Sequence, residues 1–143
     1  MNDFLTRLKE AEGFCSLGEV GSDEVSAVEK ELNLSFADDY RKYVMAYGAA
    51  TFEDHELTGI SKSDRLSVLS TTKRARCVYP KFPTDMYVIE ELLIDHMLIT
   101  QNSTGAVFCY GPDDSYKQIA ASLKEYLFQE TNYNDVNTGE PMT

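Results

Sequence analysis

Apolar side chains recur at helical spacing through the first third of the chain and gather into strand-like runs in its second half. Phe4, Leu8 and Ala11 stand at i, i+4 and i+7, which predicts a helix over 3–12. Gly13, Gly18 and Gly21 punctuate a loop. Ser22 reads as the N-cap of a second helix, with Asp23 and Glu24 in its positively polarised first turn. Val25, Val28 and Leu32 form the apolar face of that helix. A short extended link over 34–36 leads to a third helix over 37–47, with Tyr40, Tyr43, Val44 and Tyr47 on one side. Gly48 suits the position where the chain leaves that helix with positive φ.

The middle of the chain reads as one strand over 50–60, ending in Leu57-Thr58-Gly59-Ile60, then a helix capped by Asp64 and running to Arg76. Pro80 and Pro83 break the pattern. Segments 86–90 and 94–101 are rich in β-formers. Asn102-Ser103-Thr104-Gly105 is a turn signal before a further strand over 106–110, so 94–110 reads as a hairpin. Gly111-Pro112-Asp113-Asp114 ends it. Ser115 and Gln118 match a capping box for a last helix carrying Ile119, Leu123, Tyr126 and Leu127. Residues 131–143 lack periodicity and read as a flexible polar tail after a single domain over 1–130. The order α-α-α-β-α-β-β-β-α predicts an α+β fold: one antiparallel or mixed sheet with helices packed against it.

Composition narrows the function classes. The 143 residues are 43% hydrophobic and 26% charged, which suits one globular domain with its own core. No run of 18 apolar residues exists, and the N-terminus lacks the basic and apolar regions of a secretory signal, so a cytoplasmic protein is expected. Thirteen Lys and Arg against 24 Asp and Glu give a net charge of −11. That surface repels phosphates and anionic lipid and attracts basic proteins, so neither direct nucleic-acid nor membrane binding is expected. The charge is uneven. Lys62 to Lys81 holds six basic residues and one acid, for +5, leaving −16 on the rest. This basic stripe reads as internal salt bridges and a solvated helix face. Cys15, Cys77 and Cys109 are widely spaced and odd in number, which fits a reducing compartment. Cys109 reads as a small buried hydrophobe.

Candidate chemistry is sparse. His55 and His96 lie in no metal spacing, and no P-loop, dinucleotide fingerprint or nucleophile elbow occurs. No catalytic residue, metal or cofactor is expected. Asp95 and His96 are strand neighbours facing opposite sides, which argues against a dyad. The sequon at Asn102 is more simply a turn. Sixteen tyrosines and phenylalanines fall mostly on apolar faces and read as core. Acids occur in adjacent pairs. Asp23/Glu24, Asp38/Asp39 and Asp113/Asp114 have structural readings at helix starts and turns. Glu53-Asp54-His55-Glu56 and Glu90-Glu91 have none as obvious. Glu53, Asp54, Glu56, Glu90, Glu91, Asp113 and Asp114 are the candidate partner-binding residues, because they cluster near predicted strand ends and loops.

The order of these features resembles the SUKH superfamily, which includes bacterial immunity proteins and a fungal cell-wall-synthesis regulator. The resemblance rests on Val28-Glu29, Leu32, the stretch from Phe36 to Val44, and Tyr47-Gly48. It continues through Leu57-Thr58-Gly59-Ile60, Tyr87-Val88-Ile89, Thr104-Gly105-Ala106-Val107 and the segment from Ile119 to Leu127. Phe36-Ala37 stands where the family usually has Leu-Pro. The resemblance implies a SUKH-like fold and a non-enzymatic immunity protein, or antitoxin, that neutralises a cognate basic toxin domain, often a nuclease, in a stoichiometric complex. A regulatory or scaffold module is the alternative it leaves open. A small enzyme with an unrecognised site is the third reading.

Overall fold

Three helices form where the apolar spacing predicts them, except that the first stops at Lys9 rather than residue 12 and leaves Ala11 in the loop that follows. The structure, a computed structural model describing residues 3–92 and 96–128, has α1 at Asp3–Lys9, α2 at Ser22–Leu32 and α3 at Asp38–Tyr47. The expected inner faces are buried at Leu8, Val25, Leu32, Tyr40, Tyr43 and Val44. Ser22 is not the cap. It is already helical, and Gly21 holds the N-cap position without a side-chain hydrogen bond. The Val20 N–H, donated to the Met45 carbonyl at 3.0 Å, pins the incoming chain and starts the helix one residue early. Tyr47 is only half-buried and reaches α1 instead, its hydroxyl donating to the Leu5 carbonyl at 2.7 Å.

The described residues form one seven-stranded antiparallel sheet whose strands lie in chain order. They are β1 (Cys15–Ser16), β2 (Ala50–Phe52), β3 (His55–Leu57), β4 (Tyr87–Leu92), β5 (Met97–Gln101), β6 (Val107–Tyr110) and β7 (Tyr116–Ala120). With α4 (Val68–Val78) and α5 (Leu123–Leu127), this is the α+β arrangement that the sequence predicts. The β5–β6 hairpin pairs Gln101 with Val107 and Leu98 with Tyr110. Asn102 Oδ1 accepts from the Thr104 N–H inside its turn, and Gly105 takes φ +98. Ile94 and Asp95, read as part of β5, lie outside the described residues, as does the tail over 131–143.

Three expectations need correction. Segment 50–60 is not one strand but the β2–β3 hairpin, reversed at Glu53 and Asp54, with Glu53 at φ +49. A two-residue reversal needs left-handed backbone, and an acidic residue supplied it without the glycine that would have announced it. β1 was also not foreseen, because two residues carry no period. The helix from Asp64 is a 3₁₀ turn over Asp64–Leu66 followed by α4. The cap of α4 is Ser67, whose Oγ accepts from the Ser70 N–H at 3.0 Å. Finally, Ser115 and Gln118 do not box a helix. Tyr116 stacks on Tyr110 at 5.5 Å and meets Phe108 edge-on, so cross-strand packing draws 116–120 into β7. Ile119 is therefore a strand residue. The working box lies seven residues later on the same logic. Ser122 Oγ accepts from the Glu125 N–H, and Glu125 Oε1 accepts from the Ala121 N–H, both at 3.0 Å.

Strand alternation divides the core in two. Tyr87, Ile89 and Ile99 join α2, α3 and α5 in the main cluster, whereas Val88 and Leu98 face a smaller cluster with Ala75, Phe82, Met86 and Tyr110. Tyr40 and Tyr43 hydroxyls both donate to the Thr58 carbonyl beneath the sheet, and burial pushes both phenols above their usual range. Glu29 takes Arg41 at 2.7 Å and the Phe36 N–H at 2.8 Å, bracing the α2–α3 link. Asp39, in the first turn of α3, accepts from Gln101 Nε2 and from the Leu123 N–H that begins α5. Gly59 must be glycine. A Cβ there would lie 1.6 Å from the Gly48 carbonyl oxygen. Gly59 also links the two halves, donating to Leu66 and accepting from Val68 as the chain enters α4.

Candidate functional site

The basic stripe is largely consumed inside the fold, as its composition suggests. Arg65 pairs with Glu56 at 3.4 Å, Lys73 with Glu31 at 2.8 Å and Arg74 with Glu91 at 2.8 Å. Arg76 donates to the Leu32 carbonyl at 2.8 Å and the Thr84 carbonyl at 3.1 Å, stitching the C-terminal end of α2 to the loop before β4. A cation suits the negative end of a helix dipole.

The acids behave otherwise. The tip of the β2–β3 hairpin, the end of β4 and the loop after α1 enclose an open cleft of about 1250 Å³. Six carboxylates line it: Glu12, Glu53, Asp54, Glu56, Glu90 and Glu91. Among the described residues no Lys or Arg belongs to the lining and Thr51 is its single hydroxyl side chain, while Leu92 and Met97 supply apolar surface. Five of the seven predicted partner-binding residues are thus brought together by hairpin register. Asp113 and Asp114 are not among them. They sit in the β6–β7 turn, where Asp113 accepts from the Ser115 hydroxyl and Asp114 accepts from the Tyr110 hydroxyl and the Lys81 N–H. Glu12 was missed by sequence reading. It follows α1 in an irregular loop, and the β1–β2 pairing together with the Glu53 N–H donated to its carbonyl at 2.9 Å brings it to the hairpin.

Glu90 is the unusual member. Its side chain is 2% exposed. It accepts from the Tyr126 hydroxyl of α5 at 2.7 Å and from the Glu56 N–H at 2.9 Å. His55 Nδ1 lies 3.1 and 3.3 Å from its two oxygens. A buried carboxylate is tolerable only when paired and hydrogen-bonded, and here three elements converge to do so. Burial of the His55 ring disfavours its charged form. The hydrogen bond and charge of Glu90, with the charges of Glu53 and Asp54, outweigh it and raise the ring's pKa above the usual 6.5. Phe52 lies 5.2 Å from the imidazole and Tyr126 meets it edge-on at 5.7 Å, fixing its plane. Glu91 points to Arg74 instead, so this adjacent pair splits between interior and rim.

The remaining candidates stay apart. His96 is exposed at the start of the turn into β5, with φ +55, and its neighbour Asp95 lies outside the described residues. Among the described residues, no three of His, Cys, Asp and Glu form a group that could hold a metal ion. None of their helices is long and apolar enough to cross a membrane.

Comparison with known proteins adds to this geometry. Residues 1–132 match the family model SUKH_5, described as SMI1-KNR4 cell-wall. No curated protein matches the sequence. A crystal structure of a protein from Pseudomonas syringae pv. tomato superposes with a TM-score of 0.72 at 10% identity, covering 92% of this chain and 97% of that one. At that identity the likeness is one of fold.

Proposed function

This chain belongs to the SUKH family described as SMI1-KNR4 cell-wall, and on that premise we propose that it works by binding, as a cytoplasmic immunity protein that neutralises a cognate basic toxin domain. A nuclease is the simplest such toxin, because its substrate-reading surface is basic. The observation that carries the reading is the convergence of Glu12, Glu53, Asp54, Glu56, Glu90 and Glu91 around one cleft in a chain of net charge −11. Exposed Glu53 and Asp54 at the hairpin tip steer the encounter. Glu56 and Glu91 already hold the guanidinium groups of Arg65 and Arg74, so a toxin arginine competes for carboxylates that suit it. Leu92 and Met97, both partly exposed, cover the aliphatic stem of such a side chain. Glu90 serves the floor of the cleft rather than the contact. The chain acts without a catalytic residue, cofactor or direct nucleic-acid contact in this mechanism.

The test is co-expression with the toxin domain encoded beside it in a sensitive host, followed by binding kinetics over a salt series. Protection is expected, with association slowing as salt rises. Reversing Glu53 and Asp54 to Lys should slow association by on the order of tenfold while the protein stays folded. No protection and no complex with the neighbouring gene product would overturn the immunity reading in favour of a regulatory module.

A further inference from the structure

The β2–β3 hairpin is held to the rest of the sheet in an unusual way. β3 shares one register pair with β4, Leu57 with Glu90, and away from the hairpin tip the Thr58 N–H donates to the Ile89 carbonyl at 2.9 Å. Beyond that pair, the Glu90 side chain takes the place of a ladder. It accepts the Glu56 N–H and reaches His55 on the hairpin side and Tyr126 on α5. One buried carboxylate therefore joins three elements, and the imidazole is the partner whose charge depends on its proton.

We propose that His55 is a proton-operated latch: in its charged form it ties the tip of the β2–β3 hairpin to β4 and α5 through Glu90, and loss of its proton loosens the hairpin and reshapes the cleft. This inference stands apart from the partner reading, since it concerns the chain alone. The groups facing the ring are Glu90 from β4, Glu53 and Asp54 from the turn, and Tyr126 from α5. Glu12 from the loop after α1, Glu91 from β4 and Glu56 from β3 line the same cleft. Arg65 and Arg74 are engaged by Glu56 and Glu91 at its rim. Once neutral, His55 can still donate one hydrogen bond. It no longer offsets the charge of a carboxylate that is 2% exposed and surrounded by others.

The sign follows from linkage. The ring's pKa is raised in the folded protein, so its stabilisation is complete below about 6.5, the unfolded value, and fades as pH rises through the folded value. Each unit by which the latch raises that pKa corresponds to about a tenfold change in the closed-to-open ratio.

The experiment uses the full chain and two NMR readouts over pH 5.5–9: the His55 ring proton shift, and amide exchange of Glu53 to Glu56 corrected for intrinsic base catalysis. The expected result is a His55 midpoint above 6.5, with hairpin protection falling through the same midpoint. In His55→Gln the fall should disappear, leaving protection low and flat. Glu90→Gln should bring the His55 midpoint down toward 6.5. If Glu90→Gln fails to fold, His55→Gln decides alone, because that ring is partly exposed. Protection that stays constant through the His55 titration overturns the latch, as does a pH-dependent fall that survives in His55→Gln.

Discussion

The acidic cleft and helix α4 meet at Glu56 and Glu91, and they handle charge in opposite ways. Helix α4 and its flanks carry most of the basic stripe. There Arg65, Lys73 and Arg74 each find a carboxylate, and Arg76 finds two backbone carbonyls. Four of the stripe's six basic side chains are thus engaged, and Lys62 and Lys81 are exposed. The cleft gathers acids from three separate parts of the chain, and among the described residues Glu12, Glu53 and Asp54 have no cationic side chain bound to them. A local charge sum in the sequence therefore says little about the field a partner meets. What counts is whether the fold offers each charge a counter-ion. Among the described residues the one acid taken into the interior, Glu90, is also the most fully satisfied.

Gly59 joins these regions, and replacing it breaks both. Gly59→Ala places a methyl group 1.6 Å from a backbone oxygen that cannot swing away. Its cost should exceed the roughly 3 kcal/mol of ordinary overpacking. Chemical denaturation should show a protein that is unfolded or severely destabilised, and near-native stability would mean that the Gly48–Gly59 approach is misread. A smaller effect sharpens the interior half of the comparison. Tyr126→Phe removes one donor from buried Glu90 and should cost about 1–3 kcal/mol, with a matching drop in Tm. The exterior half predicts the least. Lys73→Ala and Arg74→Ala break half-exposed pairs, so each should cost no more than about 1 kcal/mol, with the difference shrinking as salt rises. Arg74→Ala also frees Glu91, so it should speed association with a basic partner even as it leaves Tm almost unchanged. A large Tm loss in either variant would show that the stripe is a structural clamp.

Much of the architecture is legible from local pattern. The faces of α2 and α3 and the β5–β6 hairpin with its Asn102 turn follow from short-range rules. The same rules misplaced α5, because two S-x-x-(Q/E) boxes lie close together and only tertiary packing tells them apart. Tyr116 finds Tyr110 across the sheet, so the first box is spent in a strand. The Leu123 N–H finds Asp39, so the second box opens the helix. The β2–β3 reversal was invisible for a related reason, since no glycine marks its positive φ.

The site was half legible. Glu53, Asp54, Glu56, Glu90 and Glu91 stood out as acids without a local structural role, and the hairpin does bring them to one cleft. Sequence determined the charge, the helix faces, the turn chemistry and the α+β class, because these depend on neighbours a few residues apart. Tertiary structure decided which acids meet, which one is buried and which have a counter-ion. Those outcomes depend on strand register and on α5 packing against β7 and α3, which lets Tyr126 and His55 reach the same carboxylate from distant parts of the chain.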